Sequence, residues 1–575
     1  MKIRTCQLHT PFETDRTRSW EEHPRPQFRR DSYLMLCGEW ELSVVQDMSV
    51  EALGAITVPF PPESRLSGLS REPKPCTYIY TKEFVLPASF SNTKVLLHFG
   101  AVDQMALVFV NDQFVGEHIG GYLPFSFEVQ DYLVEGKNTL RVEATDRLDT
   151  ELTYGKQRYQ RGGMWYTPIS GIWQPVWLES VPQQYIQTIR LTSTLDSVTI
   201  QTVGGKSNKT LCLQTEDGKL TYHYYGDSFV LKIDHPRVWS PEDPYLYSFT
   251  LSDGEDVIYS YFALRTVTIQ KVGDTPYICL NNKPYYFHGL LDQGYFSDGI
   301  YLPATPEGYR YDILTAKKLG FNMLRKHIKI EPETFYYDCD RYGMIVFQDI
   351  VNSGTYRYFS DTVLPTVGVR RRFTYPASSR RRKHFETQAA ETVSLLYNHP
   401  CVCYYTIFNE GWGQYDSDRI YRELKRLDPT RVWDATSGWF AKKESDVVSE
   451  HIYFRKFKCK KKHSKPLVLS EFGGYSCKIA DHSFNLDKNY GYKTYHTTKS
   501  FENGLISLYR NEILPAFKNG LCATVLTQLS DVEDETNGLV TYDRQIVKVR
   551  ELSMQALASE LKTAFDKQVE KNNER

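Results

Sequence analysis

Over the first third of the chain, hydrophobic and polar positions alternate with period two. Runs such as Lys94-Val95-Leu96-Leu97-His98-Phe99 and Ala106-Leu107-Val108-Phe109-Val110-Asn111 are separated by Gly, Asn and Asp turns. Gly136-Lys137-Asn138 leads in the same way into Thr139-Leu140-Arg141-Val142-Glu143-Ala144. Alternation puts one set of side chains on each face of a strand, and turn residues at regular spacing mark the strand ends. Helical periodicity is almost missing before residue 180. The pattern predicts a jelly-roll β-sandwich over residues 1–181. A second set of short strands, near 186–191, 197–203, 210–215 and 230–233, predicts a smaller immunoglobulin-like β-sandwich over 182–270.

After residue 271 the pattern changes. Short apolar runs at 285–289, 322–325, 344–349, 402–409, 432–436, 447–453, 467–471 and 522–529 alternate with segments of helical periodicity. Those helices are expected at 310–319, 333–341, 382–396 and 418–427, with a last one over 543–575 that frays from residue 567. Continuous apolar runs are the mark of parallel strands buried on both faces. Eight strand–helix units predict a C-terminal (β/α)8 TIM barrel over 271–575. The fold class is therefore multidomain, β followed by α/β.

Two of the barrel runs break in the same manner. Tyr404-Tyr405-Thr406-Ile407-Phe408-Asn409-Glu410-Gly411 and Leu467-Val468-Leu469-Ser470-Glu471-Phe472-Gly473 each carry a glutamate where the strand passes towards glycine. The C-terminal strand ends of such a barrel meet at one face. Glu410 would stand there at the fourth strand and Glu471 at the seventh. Paired carboxylates are what cleavage of a glycosidic bond requires. A single glutamate in this place is as readily a strand cap or an ion-pair partner; the pairing is what points to chemistry.

Composition narrows the picture without deciding it. Hydrophobic residues make up 41% and charged residues 24%, enough for a folded core. The 41 Tyr and 9 Trp suit stacking on sugar rings, and equally the packing of a β-rich protein. A net charge of −1 favours neither nucleic acid nor a membrane surface. The basic clusters Arg370-Arg371-Arg372, Arg380-Arg381-Arg382-Lys383 and Lys458 with Lys460-Lys461-Lys462 read as solvated loops; a second reading gives one of them to an anionic substrate. The 11 cysteines show no zinc spacing, so no structural metal site is expected, and cleavage by two carboxylates demands no cofactor. No apolar window is long enough to span a membrane. Free thiols and a polar start without an apolar signal core lead us to expect a cytoplasmic protein. Large β surfaces make a homo-oligomer plausible.

Further motifs recur in a fixed order: His23-Pro24-Arg25-Pro26 with Gly38-Glu39-Trp40, then Ser170-Gly171-Ile172-Trp173, then Trp239-Ser240-Pro241 to Pro244-Tyr245-Leu246-Tyr247. Leu264-Arg265-Thr266-Val267, Leu319-Gly320-Phe321-Asn322, Arg325 and the two glutamate motifs complete the series. With these the chain resembles glycoside hydrolase family 2, which includes β-galactosidases, β-glucuronidases and β-mannosidases. The resemblance implies a retaining exo-β-glycosidase acting on an oligosaccharide or other β-glycoside. Glu410 would be the general acid/base and Glu471 the nucleophile, with their carboxyls about 5–5.5 Å apart. It further implies that Asn409 bonds the sugar 2-hydroxyl, Tyr453 donates to the nucleophile and Arg325 keeps Glu471 charged. Asp292, Trp412, Asp349 and Gln528 are its expected pocket-lining residues.

The chain departs from that pattern around the sugar. The Asn-x-Lys motif by which glucuronidases hold a carboxylate has no room in Asn537-Gly538-Leu539-Val540-Thr541-Tyr542-Asp543-Arg544, although Arg544 or Lys548 could supply another cation. Ile328 stands where galactosidases and glucuronidases have a histidine, with His327 one residue earlier, and Thr527 stands where they have a pocket tryptophan. The reading is β-galactosidase-like. The alternatives are a β-glucuronidase or β-mannosidase, and, from another class, a carbohydrate-binding protein that kept the fold and lost catalysis.

Overall fold

The computed structural model describes residues 4–13, 20–46, 49–90, 94–216, 218–366, 376–459 and 463–574. The clusters Arg370-Arg371-Arg372 and Lys460-Lys461-Lys462 lie outside the described residues. Arg380 and Arg382 are engaged, with Asp149 at 2.8 Å and Asp416 at 2.6 Å.

The alternating N-terminal runs form two antiparallel sheets. A six-stranded sheet contains Gly38–Gln46, Cys76–Val85, Lys137–Asp146 and Met105–Val110; a four-stranded sheet contains Val176–Val181 and Lys94–Phe99. Alternate residues of Lys137–Asp146 are buried along the whole strand, as period two requires. Trp40, Tyr78, Tyr80, Val108, Leu140 and Val142 fill the space between the sheets. A second sandwich follows, three strands (Ile186–Ser193, Ser197–Gly204, Ser228–Lys232) facing four that run to Val257–Phe262. Leu211, Phe249, Leu251 and Phe262 form its core.

The rest is a barrel of eight parallel strands. These are β1 (Phe287–Asp292), β2 (Met323–Lys326), β3 (Ile345–Asp349), β4 (Val402–Phe408), β5 (Val432–Thr436), β6 (Val448–Ile452), β7 (Leu467–Gly473) and β8 (Leu521–Thr527). They are ordered β5-β4-β3-β2-β1-β8-β7-β6, so β5 and β6 are the two ends of the ladder. β3, β4, β5, β7 and β8 are buried at every position. The observed first strand starts and ends later than expected, which puts Asp292 at its end.

Four expectations are corrected. The described residues between β5 and β6, and between β6 and β7, contain no helix. These connections are only about as long as a bare parallel crossover needs. Residues 543–550 are not helical; the last helix is Glu551–Asn573. Its end is not frayed, because Phe565 joins the core and Asn572 Nδ2 donates to Tyr277 Oη at 2.8 Å. Arg544 and Lys548 are fully buried and spent, on Asp312 at 3.0 Å and Asp531 at 2.6 Å, so neither is a spare cation.

A loop of the first sandwich reaches the barrel mouth. Tyr154 N donates to Asn352 O at 3.2 Å and Gly354 N to Thr150 O at 2.6 Å. Tyr154, Trp165, Ile328 and Trp412 pack as one buried cluster, with Trp165 and Trp412 edge-to-face at 5.0 Å.

Candidate active site

β4 ends at Phe408, and Asn409–Gly411 turns sharply away from it. Glu410 lies in the left-handed region at φ 51°, a conformation that costs a side-chain-bearing residue about 1–3 kcal/mol. β7 pairs irregularly with both neighbours around Ser470, since His451 faces Glu471 while Glu450 faces Leu469. A bulge of this kind re-aims a side chain. Arg325 Nη1 donates to the Ser470 carbonyl at 3.0 Å, fixing the irregular backbone in place.

Arg325 is the hub. It donates to Glu471 Oε1 at 2.9 Å, to Asp349 Oδ1 at 3.0 Å and to Asn409 Oδ1 at 2.9 Å. Tyr453 donates to the other Glu471 oxygen at 2.5 Å and lies 2.8 Å from Thr527 Oγ1. Burial by itself would raise the Glu471 carboxyl. The neighbouring His451, the Arg325 guanidinium and the Tyr453 hydrogen bond overcome it and hold the group down at about 2.

A guanidinium only donates, so Asn409 must turn its Oδ1 towards Arg325. Ser437 Oγ donates to the same oxygen at 3.0 Å. The Asn409 amide NH2 is left without a protein partner among the described residues and can donate to a ligand.

Sequence reasoning missed His451. Its Nδ1 is 2.8 Å from Glu410 Oε1 and 3.5 Å from Glu471 Oε2, and its Nε2 is 3.4 Å from Arg325 Nη1. Because Arg325 can only donate, Nε2 is the acceptor and Nδ1–H points to Glu410. The available signal was its spacing from Tyr453: two residues apart in the run 447–453, they fall on one face of the strand expected there. One ligand atom each of Glu410, His451 and Glu471 fall within 4.8 Å of one another, a set that could also hold a metal ion. The donors are already engaged with each other, and Arg325 supplies the positive charge a metal would bring. His451→Ala should lower kcat about 10²-fold with a smaller change in KM; steady-state kinetics beside a thermal unfolding curve checks this.

The remaining expected residues are placed otherwise. Asp349 is bound by Arg325 and, at 2.8 Å, by His327 Nδ1. Asp292 accepts from Lys326 Nζ at 2.6 Å and from Gly294 N at 2.9 Å. Gln528 is fully buried, bonded to Gln293 at 2.8 Å, Glu535 at 2.7 Å and Asn537 at 2.9 Å. These three support the site from behind, and their oxygens or amides are taken by protein groups. Trp412 forms an aromatic wall with Trp165, Tyr154 and Tyr356.

Such a site, two carboxylates at a barrel mouth with one held ionised, is that of a glycoside-cleaving barrel. Three sequence profiles of one family cover most of the chain: Glycosyl hydrolases family 2, sugar binding domain, at residues 62–182; Glycosyl hydrolases family 2 at 180–265; and Glycosyl hydrolases family 2, TIM barrel domain, at 271–551. The chain belongs to glycosyl hydrolases family 2. It is 24% identical over 480 residues to a beta-galactosidase of Thermoanaerobacter pseudethanolicus, a match covering 74% of this chain and 61% of that protein's own length. It is 24% identical over 469 residues to the beta-glucuronidase of Homo sapiens, covering 68% of each. The fold matches that of a beta-D-glucuronidase from Dictyoglomus thermophilum with a TM-score of 0.74 at 19% identity, over 93% of this chain and 98% of that one.

Proposed function

We propose that this protein is a retaining exo-β-glycosidase, closest in kind to a β-galactosidase. One observation carries the reading: carboxylate oxygens of Glu410 and Glu471 lie within 4.8 Å, with Glu471 held ionised. Retaining hydrolysis uses carboxyls about 5–5.5 Å apart, whereas inversion needs roughly 6.5–9.5 Å for an intervening water.

In the first step Glu471 attacks the anomeric carbon while Glu410 gives its proton to the departing oxygen. A glycosyl ester forms and the aglycone leaves as an alcohol. In the second, Glu410 takes a proton from water, the water oxygen bonds to the anomeric carbon and Glu471 departs as a carboxylate. The Asn409 amide is turned to donate to the 2-hydroxyl. Trp412, two residues after Glu410, packs edge-to-face on Trp165, and such a wall at one end of a cleft would suit removal of one terminal sugar.

A β-glucuronidase is the second reading, because relatives of that name match the chain as well as β-galactosidases do. The test is a panel of nitrophenyl β-galactoside, β-glucoside, β-mannoside and β-glucuronide, with NMR of the first sugar released. Faster turnover of the galactoside and a β-configured first product are expected. No turnover of any sugar, or an α-configured product, defeats the proposal.

A further inference from the structure

The first sandwich places a cation beside this site. Lys156 belongs to Tyr154-Gly155-Lys156-Gln157, a stretch held from both sides. Tyr154 is buried with Ile328 and Trp412. Gly155 has φ +63°, and a Cβ there would stand 2.6 Å from Tyr122 Oη and 3.2 Å from the Ile328 carbonyl, so the backbone lies against the chain just beyond β2. Gln157 is buried and donates to Asp103 at 2.8 Å. Tyr166 N donates to Lys156 O at 3.1 Å, and Tyr166 Oη to Glu535 Oε2 at 3.0 Å. The Lys156 backbone is thereby fixed between the end of β2 and the loop after β8.

Its side chain is half-buried yet makes no hydrogen bond and no ion pair within 4.0 Å among the described residues. Its charge nevertheless acts on two groups, disfavouring protonation of His327 and favouring ionisation of Glu535. The ammonium is thus near both and bonded to neither, free to donate to a ligand atom.

Both neighbours offer an acceptor. Burial first, then Lys156, brings His327 down to about 4, so the ring is neutral near pH 7. Asp349 holds the proton on Nδ1, and Nε2 is an acceptor without a partner among the described residues. Glu535 is 4% exposed, and burial raises its carboxyl above the ordinary glutamate value; Lys156 and the Tyr166 and Gln528 donors to Oε2 oppose that rise, and Oε1 has no partner among the described residues. Each acceptor is tied to the groups that hold Glu471. His327 connects through Asp349 and Arg325. Glu535 connects through Gln528, its neighbour Thr527, and Tyr453.

We infer that Lys156, His327 and Glu535 form the hydroxyl-binding part of the glycone subsite, and that this set selects a neutral pyranose over a uronic acid. The inference rests on the β-glycosidase reading above. A hydroxyl both donates and accepts, so it satisfies Lys156 together with Glu535 or His327. A carboxylate only accepts. It meets Lys156 but also confronts the acceptor oxygens of Glu535, and an ionised Glu535 cancels the Lys156 charge that would offset the desolvation of another anion.

The test measures kcat and KM of the full chain and its Lys156→Met, Lys156→Arg, Glu535→Gln and Glu471→Gln variants on the same four glycosides, with thermal unfolding as a folding check. The wild type should prefer its best neutral glycoside to the glucuronide by about tenfold or more. Lys156→Met should lower kcat/KM on that glycoside about 10- to 100-fold, mainly through KM, and Lys156→Arg should regain part of the loss. Glu535→Gln should narrow the neutral-to-uronate ratio. If Glu535→Gln fails to fold, the two Lys156 variants decide. Unchanged kcat/KM in Lys156→Met, or a wild type that prefers the glucuronide, overturns the inference; an inactive Glu471→Gln then shows the glycosidase reading standing alone. Turnover that survives Glu471→Gln overturns both.

Discussion

Glu471→Gln is expected to abolish turnover on every glycoside, by roughly 10⁴- to 10⁶-fold in kcat, the scale seen when a covalent nucleophile is removed. The amide matches the carboxylate in shape but is a poor nucleophile for the glycosyl ester. The fold should survive, because Arg325 keeps its pair with Asp349. Glu410→Ala should behave differently. It removes the proton donor, so unactivated leaving groups suffer most, while a dinitrophenyl glycoside needs little protonation and still glycosylates Glu471. The second step then stalls for want of a base. Azide, which attacks without one, should accelerate turnover and give a β-glycosyl azide. Release of the phenol with NMR of the sugar product reads both variants; an α-glycosyl azide would contradict double displacement at Glu471.

Arg325→Met is the second large effect. The side chain is 1% exposed and carries charge-assisted hydrogen bonds to two buried carboxylates. Leaving buried charges uncompensated costs about 3–5 kcal/mol, which should appear as a lower unfolding temperature at neutral pH. Catalysis should fall too, since Asn409 loses the contact that orients its amide. The pH dependence has a definite sign. In the wild type the Glu471 carboxyl is held at about 2, below the ordinary glutamate value of about 4.3. Its ionised form therefore contributes stability that is present above the ordinary value and lost as pH falls through the depressed one. Without Arg325, His451 and the Tyr453 hydrogen bond oppose burial with less help and the carboxyl protonates at higher pH, so the acid limb of kcat/KM should move upward. Arg325→Lys keeps a charge without the fork geometry and should fall between the two. An acid limb that stays in place in Arg325→Met would show that Arg325 does not set the ionisation of Glu471.

The two glutamates were legible in the sequence because strands buried on both faces read as unbroken apolar runs, and a polar residue at the end of one stands out. The same contrast located all eight barrel strands, with shifts of a few residues. Arg325 and Tyr453 were legible by position and motif. Asp292, Asp349 and Gln528 had the right residue types at strand ends, but a strand end does not say what a side chain will meet. Lys326, His327 and Glu535 meet these three, and they become the support of the site instead of its surface.

Along its length the chain determines strands, helices and turns, since these follow from local periodicity. It does not determine the left-handed Glu410, the bulge at Ser470 or the place of His451 between two carboxylates, which arise when strands pair in register. Lys156 is the extreme case. Nothing local marks it, and it reaches the site only because a loop of the first sandwich packs its aromatics against Trp412 and Ile328. The sequence by itself therefore determined the two carboxylates that end β4 and β7. Only the tertiary structure decided what surrounds them, because ion pairs and docked loops join residues far apart in the chain.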